Sequence, residues 1–159
     1  MTEAAHSSNH VLDRTRTVSL KVLGIFDSIP SWLIGVLARV SVATVFWRSA
    51  RTKVDGFEIT QSAYFLFKNE YQVPLIPYDW AAVITTISEH LFAALLMIGL
   101  ASRLSALGLL VMTLVIQIFI YPQAWPTHIF WITALVYIIA RGPGAVSVDH
   151  FIRRTILKS

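Results

Sequence analysis

Four long apolar stretches with very few charges constrain this chain more than any other feature. They run over residues 30–48, 79–100, 103–121 and 125–141. About 20 residues at 1.5 Å rise cover the roughly 30 Å hydrocarbon layer of a bilayer, so each stretch predicts a membrane-spanning helix. The fourth is the shortest, and crossing requires help from flanking residues or local thinning of the bilayer. Composition agrees: 14% of residues are charged, against about 25% in soluble domains. A 159-residue chain that devotes this much length to spans has room for one domain and none for a separate soluble catalytic unit. The expected architecture is all-α, an integral membrane four-transmembrane-helix bundle with flanking amphipathic helices. Residues 1–29 form one tail, 30–141 the membrane domain with a long outer loop over 49–78, and 142–159 the other tail.

The chain has no cysteine, which excludes disulfides, thiol redox chemistry and thiolate metal sites supplied by its own residues. Its net charge of +4 does not point to nucleic acid, because the basic residues flank apolar spans and form no patch interleaved with stacking aromatics. They read instead as a topology signal. With the N-terminus cytoplasmic, Arg14, Arg16, Lys21, Arg103, Arg141, Arg153, Arg154 and Lys158 fall inside, and Arg48, Arg51, Lys53 and Lys68 outside. The positive-inside rule then places both termini in the cytoplasm of a bacterial inner membrane. Trp47, Tyr78, Trp80, Tyr121 and Trp125 all fall at the outer interface as an aromatic belt.

Val11, Val18, Val22, Ile25 and Ile29 recur at helical spacing with basic residues between them. They predict an amphipathic helix on the inner leaflet rather than a secretory signal. Gly142-Pro143-Gly144 stops the fourth span, and a second amphipathic helix is expected over 147–157. Short connections make hairpins of the second, third and fourth spans. In the long first connection, Thr60 to Lys68 reads as a helix with an aromatic face, followed by an extended return through Pro74 and Pro77. A long loop over a bundle mouth is a common place for a lid or a partner surface.

Arg39 and Glu89 each interrupt an apolar stretch. Both lie nine residues inside a span boundary, about 13 Å deep from opposite sides. In a layer roughly 30 Å thick the two are nearly level, and an Arg39–Glu89 pair facing the bundle interior is expected. His90, beside the carboxylate, completes a buried polar cluster that could relay protons or hydrogen-bond a neighbouring helix. A second group, Arg48, Arg51, Lys53, Gln117, Tyr121, Trp125 and His128, gathers at the outer mouth, where cations and donors under aromatics suit an anionic or quinone headgroup. The same residues also suit interface anchoring. His90 and His128 sit at different depths, which disfavours a bis-histidine haem, and no spacing assigns a metal.

Leu37-Ala38-Arg39-Val40, the Trp47-to-Phe57 stretch with Lys53 and Gly56, Glu89, Gly99-Leu100-Ala101-Ser102-Arg103 and Gly142 to Asp149 together resemble the DoxX family of small bacterial membrane proteins. The resemblance extends over about residues 30–152. It implies a four-helix membrane bundle. It also implies a membrane subunit of a thiosulfate:quinone oxidoreductase, an anchor for oxidative-stress and sulfur-transfer enzymes, or a component of copper-responsive systems; Glu89-His90 and the run from Tyr121 to His128 are most similar to the last group. The expected role is a redox- or metal-stress component of the inner membrane that engages quinone or a membrane or periplasmic redox or metal-handling protein. An anchor without chemistry of its own and a small-solute or metal transporter are the alternatives. Homo-oligomerisation is compatible with so small a bundle, although no GxxxG run marks an interface.

Overall fold

The computed structural model describes residues 27–156 together with residues 16, 19–21, 23 and 24. The expected N-terminal amphipathic helix falls largely outside the described residues. Four long helices make up most of the rest: α1 (Ser31–Arg51), α3 (Tyr78–Ile98), α4 (Ser102–Val115, prolonged by a wider π turn over Ile116–Ile120) and α5 (Trp125–Arg141). A short helix, α2 (Gln61–Leu66), lies in the first connection, and α6 (Val148–Ile156) follows α5. By length and composition α1, α3 and the stretch Ser102–Ile120 are able to cross a membrane. At 17 residues α5 is shorter.

The four long helices pack as a ring, α1 against α3 and α5, and α4 against α3 and α5. Val42, Phe46, Leu96, Leu109, Leu135 and Ile138 fill the centre, and Ala43, Ala93 and Ala106 let the backbones approach. Gly108 gives way to the Phe92 ring, which occupies the space where a side chain would stand. Large apolar residues such as Leu37, Ile87, Leu104, Ile118 and Phe130 face outward, while Thr86, Ser105 and Thr113 are buried. Each of these hydroxyls donates to a carbonyl four residues earlier in the chain, at 2.7 Å for Thr86 and Thr113 and 3.2 Å for Ser105. An apolar exterior over an interior in which these three hydroxyls are satisfied suits lipid as the solvent.

Helix boundaries follow local chemistry. Pro30 and Pro77 precede α1 and α3 in extended geometry; proline has no N–H to leave unpaired at a helix start. Gly99, at φ 74°, ends α3. The two carboxylate oxygens of Asp149 accept the Ala101 and Ser102 N–H groups at 2.8 and 2.9 Å, capping α4 from far along the chain. Gly142, at φ 82° and ψ −178°, ends α5 in a region of backbone space open essentially to glycine.

The first connection is more structured than its sequence suggests. After α1, β1 (Val54–Asp55) pairs antiparallel with β2 (Glu58–Ile59) around a turn at Gly56. The helix expected over Thr60 to Lys68 begins at Thr60, whose hydroxyl accepts the Ala63 N–H at 3.2 Å. It passes into a wider turn over Phe67–Tyr71. Phe67 is buried against Ala81 and Ala82 of α3, so this segment packs onto the bundle at its loop end. At the opposite, tail end, Pro143 and Gly144 lie against the Gly35 and Trp32 turns of α1.

Candidate functional site

Arg39 and Glu89 are both buried, yet they do not meet. Glu89 Oε2 accepts from Lys53 Nζ at 2.7 Å and Oε1 accepts from the Ser49 hydroxyl at 3.1 Å. Lys53 also donates to the Ser49 hydroxyl at 2.8 Å and to its carbonyl at 3.2 Å. The lysine and glutamate side chains are 5% and 2% exposed. Lys53 lies just beyond the end of α1, so a short stem places its ammonium between Ser49 and α3.

Arg39 sits at the tail end. Its Nη1 donates to the Leu96 carbonyl at 3.3 Å and its Nη2 to the Val146 carbonyl at 2.5 Å. Asp149 supplies the opposing charge without direct contact. The expected Arg39–Glu89 pair is therefore corrected, and the cause is helix offset. The depth arithmetic takes the ends of α1 and α3 as level, whereas Arg39 stands beside Leu96 and Ser49 beside Glu89. Ten residues of α1 separate the two levels, about 15 Å along the helix.

His90 joins neither charge. Its Nδ1 lies 2.9 Å from the Thr86 carbonyl; a carbonyl can only accept, so Nδ1 carries the proton and Nε2 is the ring's other polar atom. The ring meets Trp47 edge-on at 5.2 Å. Both line a groove of about 650 Å³ between α1 and α3, beneath the β-hairpin, with Arg51, Phe57, Val83 and Leu91.

The expected outer-mouth constellation separates into unconnected parts. Gln117 Nε2 donates to the Pro122 carbonyl at 2.8 Å, leaving its Oε1 to accept from His128 Nδ1 at 2.7 Å. His128 is buried against Trp131, which in turn meets Phe46. Tyr121 donates to the Glu70 carboxylate and meets Tyr71 edge-on at 5.9 Å. The carboxylate pushes the Tyr121 phenol well above its ordinary range, and burial raises that of Tyr71. Lys53 belongs to the Glu89 pair and Arg51 to the groove, while Arg48 and Trp125 are exposed. Spacing along a span gives height but not the direction in which a residue faces, so residues at one level point to different neighbours.

A profile of the DoxX family matches residues 34–122. The chain belongs to the DoxX family. With three apolar helices of sufficient length, it is a multi-pass membrane protein in contact with lipid. Neither curated proteins nor solved structures give a match. The DoxX region contains Arg39, Ser49, Lys53, Glu89, His90 and Gly99, and it ends before His128 and Asp149. Ser49 and Asp149 escape a reading of the sequence. Ser49 has a signal in its four-residue spacing from Lys53, whereas Asp149 closes the Gly142-to-Asp149 stretch but caps a helix about 48 positions away, a role that no local pattern shows.

Proposed function

We infer that this DoxX protein is a component of a redox- or metal-stress system in the bacterial inner membrane, with both termini cytoplasmic and α5 as a fourth span. Its role is to hold a quinone-class headgroup in the groove between α1 and α3. The groove carries this reading: it is about 650 Å³ in volume and combines an apolar wall with Trp47, Arg51 and His90. A few polar groups on a mostly apolar concave surface suit an amphiphilic ring. The Arg51 guanidinium can donate to a ring carbonyl, and His90, whose Nδ1 faces the Thr86 carbonyl, keeps Nε2 for a polar atom of the ring. The Lys53–Glu89 pair holds the end of α1 against α3 and so fixes one wall of the groove.

The test is quinone content per protein in native lipid nanodiscs, for wild type and for the double variant Arg51→Gln/His90→Leu. Near-stoichiometric quinone in the wild type, lost in the variant, is the expected result. No enrichment over bulk lipid overturns it and favours an anchoring role, for which the fully exposed Phe57 and Leu75 of the first connection offer contacts.

A further inference from the structure

At the tail end, far from the groove, a cavity of about 470 Å³ opens where α4, α5 and α6 meet. Arg103 comes from the first turn of α4, Arg141 from the last turn of α5, and His150 and Arg153 from α6. Three arginines brought together from three elements differ from a stripe of basic residues along one helix. None of them has a carboxylate within ion-pair distance among the described residues. Arg103 makes one long contact, Nη2 to the Ala140 carbonyl at 3.5 Å. Asp149 is the one acid in the lining, and both its oxygens are engaged by the Ala101 and Ser102 N–H groups.

Ser102 supplies a second observation. It lines the cavity, is fully buried, and its hydroxyl has no hydrogen-bond partner. A buried donor without a partner is uncommon, and this one stands in the cavity wall. The surroundings indicate where the ligand comes from. Leu104, Phe151 and Ile156 are among the most exposed apolar residues of the protein; Leu104 lines the cavity on α4, and Phe151 and Ile156 stand on α6, the helix that supplies His150 and Arg153 to it. In α6 they share a short helix with Arg153, Arg154 and His150, the pattern of a helix lying in a lipid interface.

We propose that this cavity is a phosphate-binding site, sized and placed for the headgroup phosphate of an anionic phospholipid. The guanidinium forks of Arg103, Arg141 and Arg153 pair with the phosphate oxygens. The acyl chains run along Leu104, and α6 lies beside them in the interface. The site does not depend on the groove between α1 and α3, so either can fail alone.

Full-length protein, delipidated in a neutral detergent, is titrated with phosphatidylglycerol, with phosphatidylcholine and with inorganic phosphate, and adducts are read by native mass spectrometry. The variants are Arg103→Gln/Arg141→Gln/Arg153→Gln and a charge-matched control, Arg16→Gln/Lys21→Gln/Arg154→Gln. A discrete one-to-one phosphatidylglycerol adduct is expected, weakened about a hundredfold in the cavity variant and retained in the control. Arg153→Gln alone, on the exposed α6, weakens it about fivefold and serves if the triple variant misfolds. Inorganic phosphate binding with the same arginine dependence also supports the site and identifies a soluble source. Equal binding of the two lipids, or equal loss in both triple variants, overturns it.

Discussion

The two ends of the bundle bury a cation in opposite ways. At the loop end, Lys53 meets a carboxylate directly, with Ser49 bridging the pair. At the tail end, Arg39 meets the backbone carbonyls of Leu96 and Val146, and Asp149 acts on it from a distance. The first arrangement joins α1 to α3. The second joins three segments, because Val146 belongs to the stretch after α5. A point charge on a flexible stem suits a single strong acceptor, whereas a planar fork reaches two carbonyls on different elements. The bundle therefore uses its ion pair to fasten two helices and its arginine to fasten the chain's return beneath them.

Unpairing the loop end gives the largest expected effect. Lys53→Met leaves a buried carboxylate without its countercharge, and loss of one partner of a buried pair costs about 3–5 kcal/mol. The double variant Lys53→Met/Glu89→Leu removes both charges and is expected to recover most of that loss, as apolar replacements of buried pairs commonly do. Thermal unfolding in one detergent compares the three proteins. Recovery in the double variant identifies a fastening whose charge is replaceable. If the double variant is as unstable as the single, the lesion lies in packing rather than in charge.

The tail end is broken through its glycine. A methyl group on Gly99 runs into the Arg39 guanidinium and lies 2.6 Å from Ser147 Cβ, and the residue holds φ 74°. A left-handed conformation costs a residue with a Cβ about 1–2 kcal/mol and overpacking about 1–3 kcal/mol, so Gly99→Ala is expected to destabilise by about 2–5 kcal/mol. It also frees the segment after α5, which limited proteolysis detects as new cleavage near residues 143–147. Lys53→Met leaves that segment protected, because its defect is at the other end. Cleavage in both variants would mean that the two ends open together.

Much of this fold is legible in the sequence, since long apolar stretches report on burial in lipid without reference to tertiary structure. Pro30, Pro77, Gly99 and Gly142 mark helix ends through backbone chemistry that acts locally. Gly56, at the first position of the two-residue loop between β1 and β2, is likewise a local hairpin signal. The candidate site is less legible. Arg39 and Glu89 declare themselves as buried charges, but their partners depend on how far α1 slides past α3, an offset that belongs to the packed bundle, where Phe46 and Leu96 share one core, and not to either stretch alone. Lys53 looks like an interface cation because it follows Trp47 and Arg51; only the return of the chain over α3 buries it. Gln117 and His128 do meet, being positioned by one short hairpin, while Tyr121 pairs with Glu70 from a distant loop.

The offset between α1 and α3 also yields the smallest expected effect, an absence of coupling. In a double-mutant cycle of Arg39→Gln with Glu89→Gln, the two sites share no partner and stand about 15 Å apart along α1. Stability changes at such a distance add to within about 0.3–0.5 kcal/mol. The same glutamate cycled against Lys53→Gln touches its partner at 2.7 Å, and contacting pairs of this kind couple by about 0.5–3 kcal/mol. Running both cycles on one glutamate makes each the control for the other, since any general damage from Glu89→Gln enters both equally. Strong coupling to Arg39 would require the two helices to slide by about two turns relative to this structure, which would also unseat Arg39 from Leu96 and Val146. Coupling to Lys53 alone fixes the register of α1 against α3.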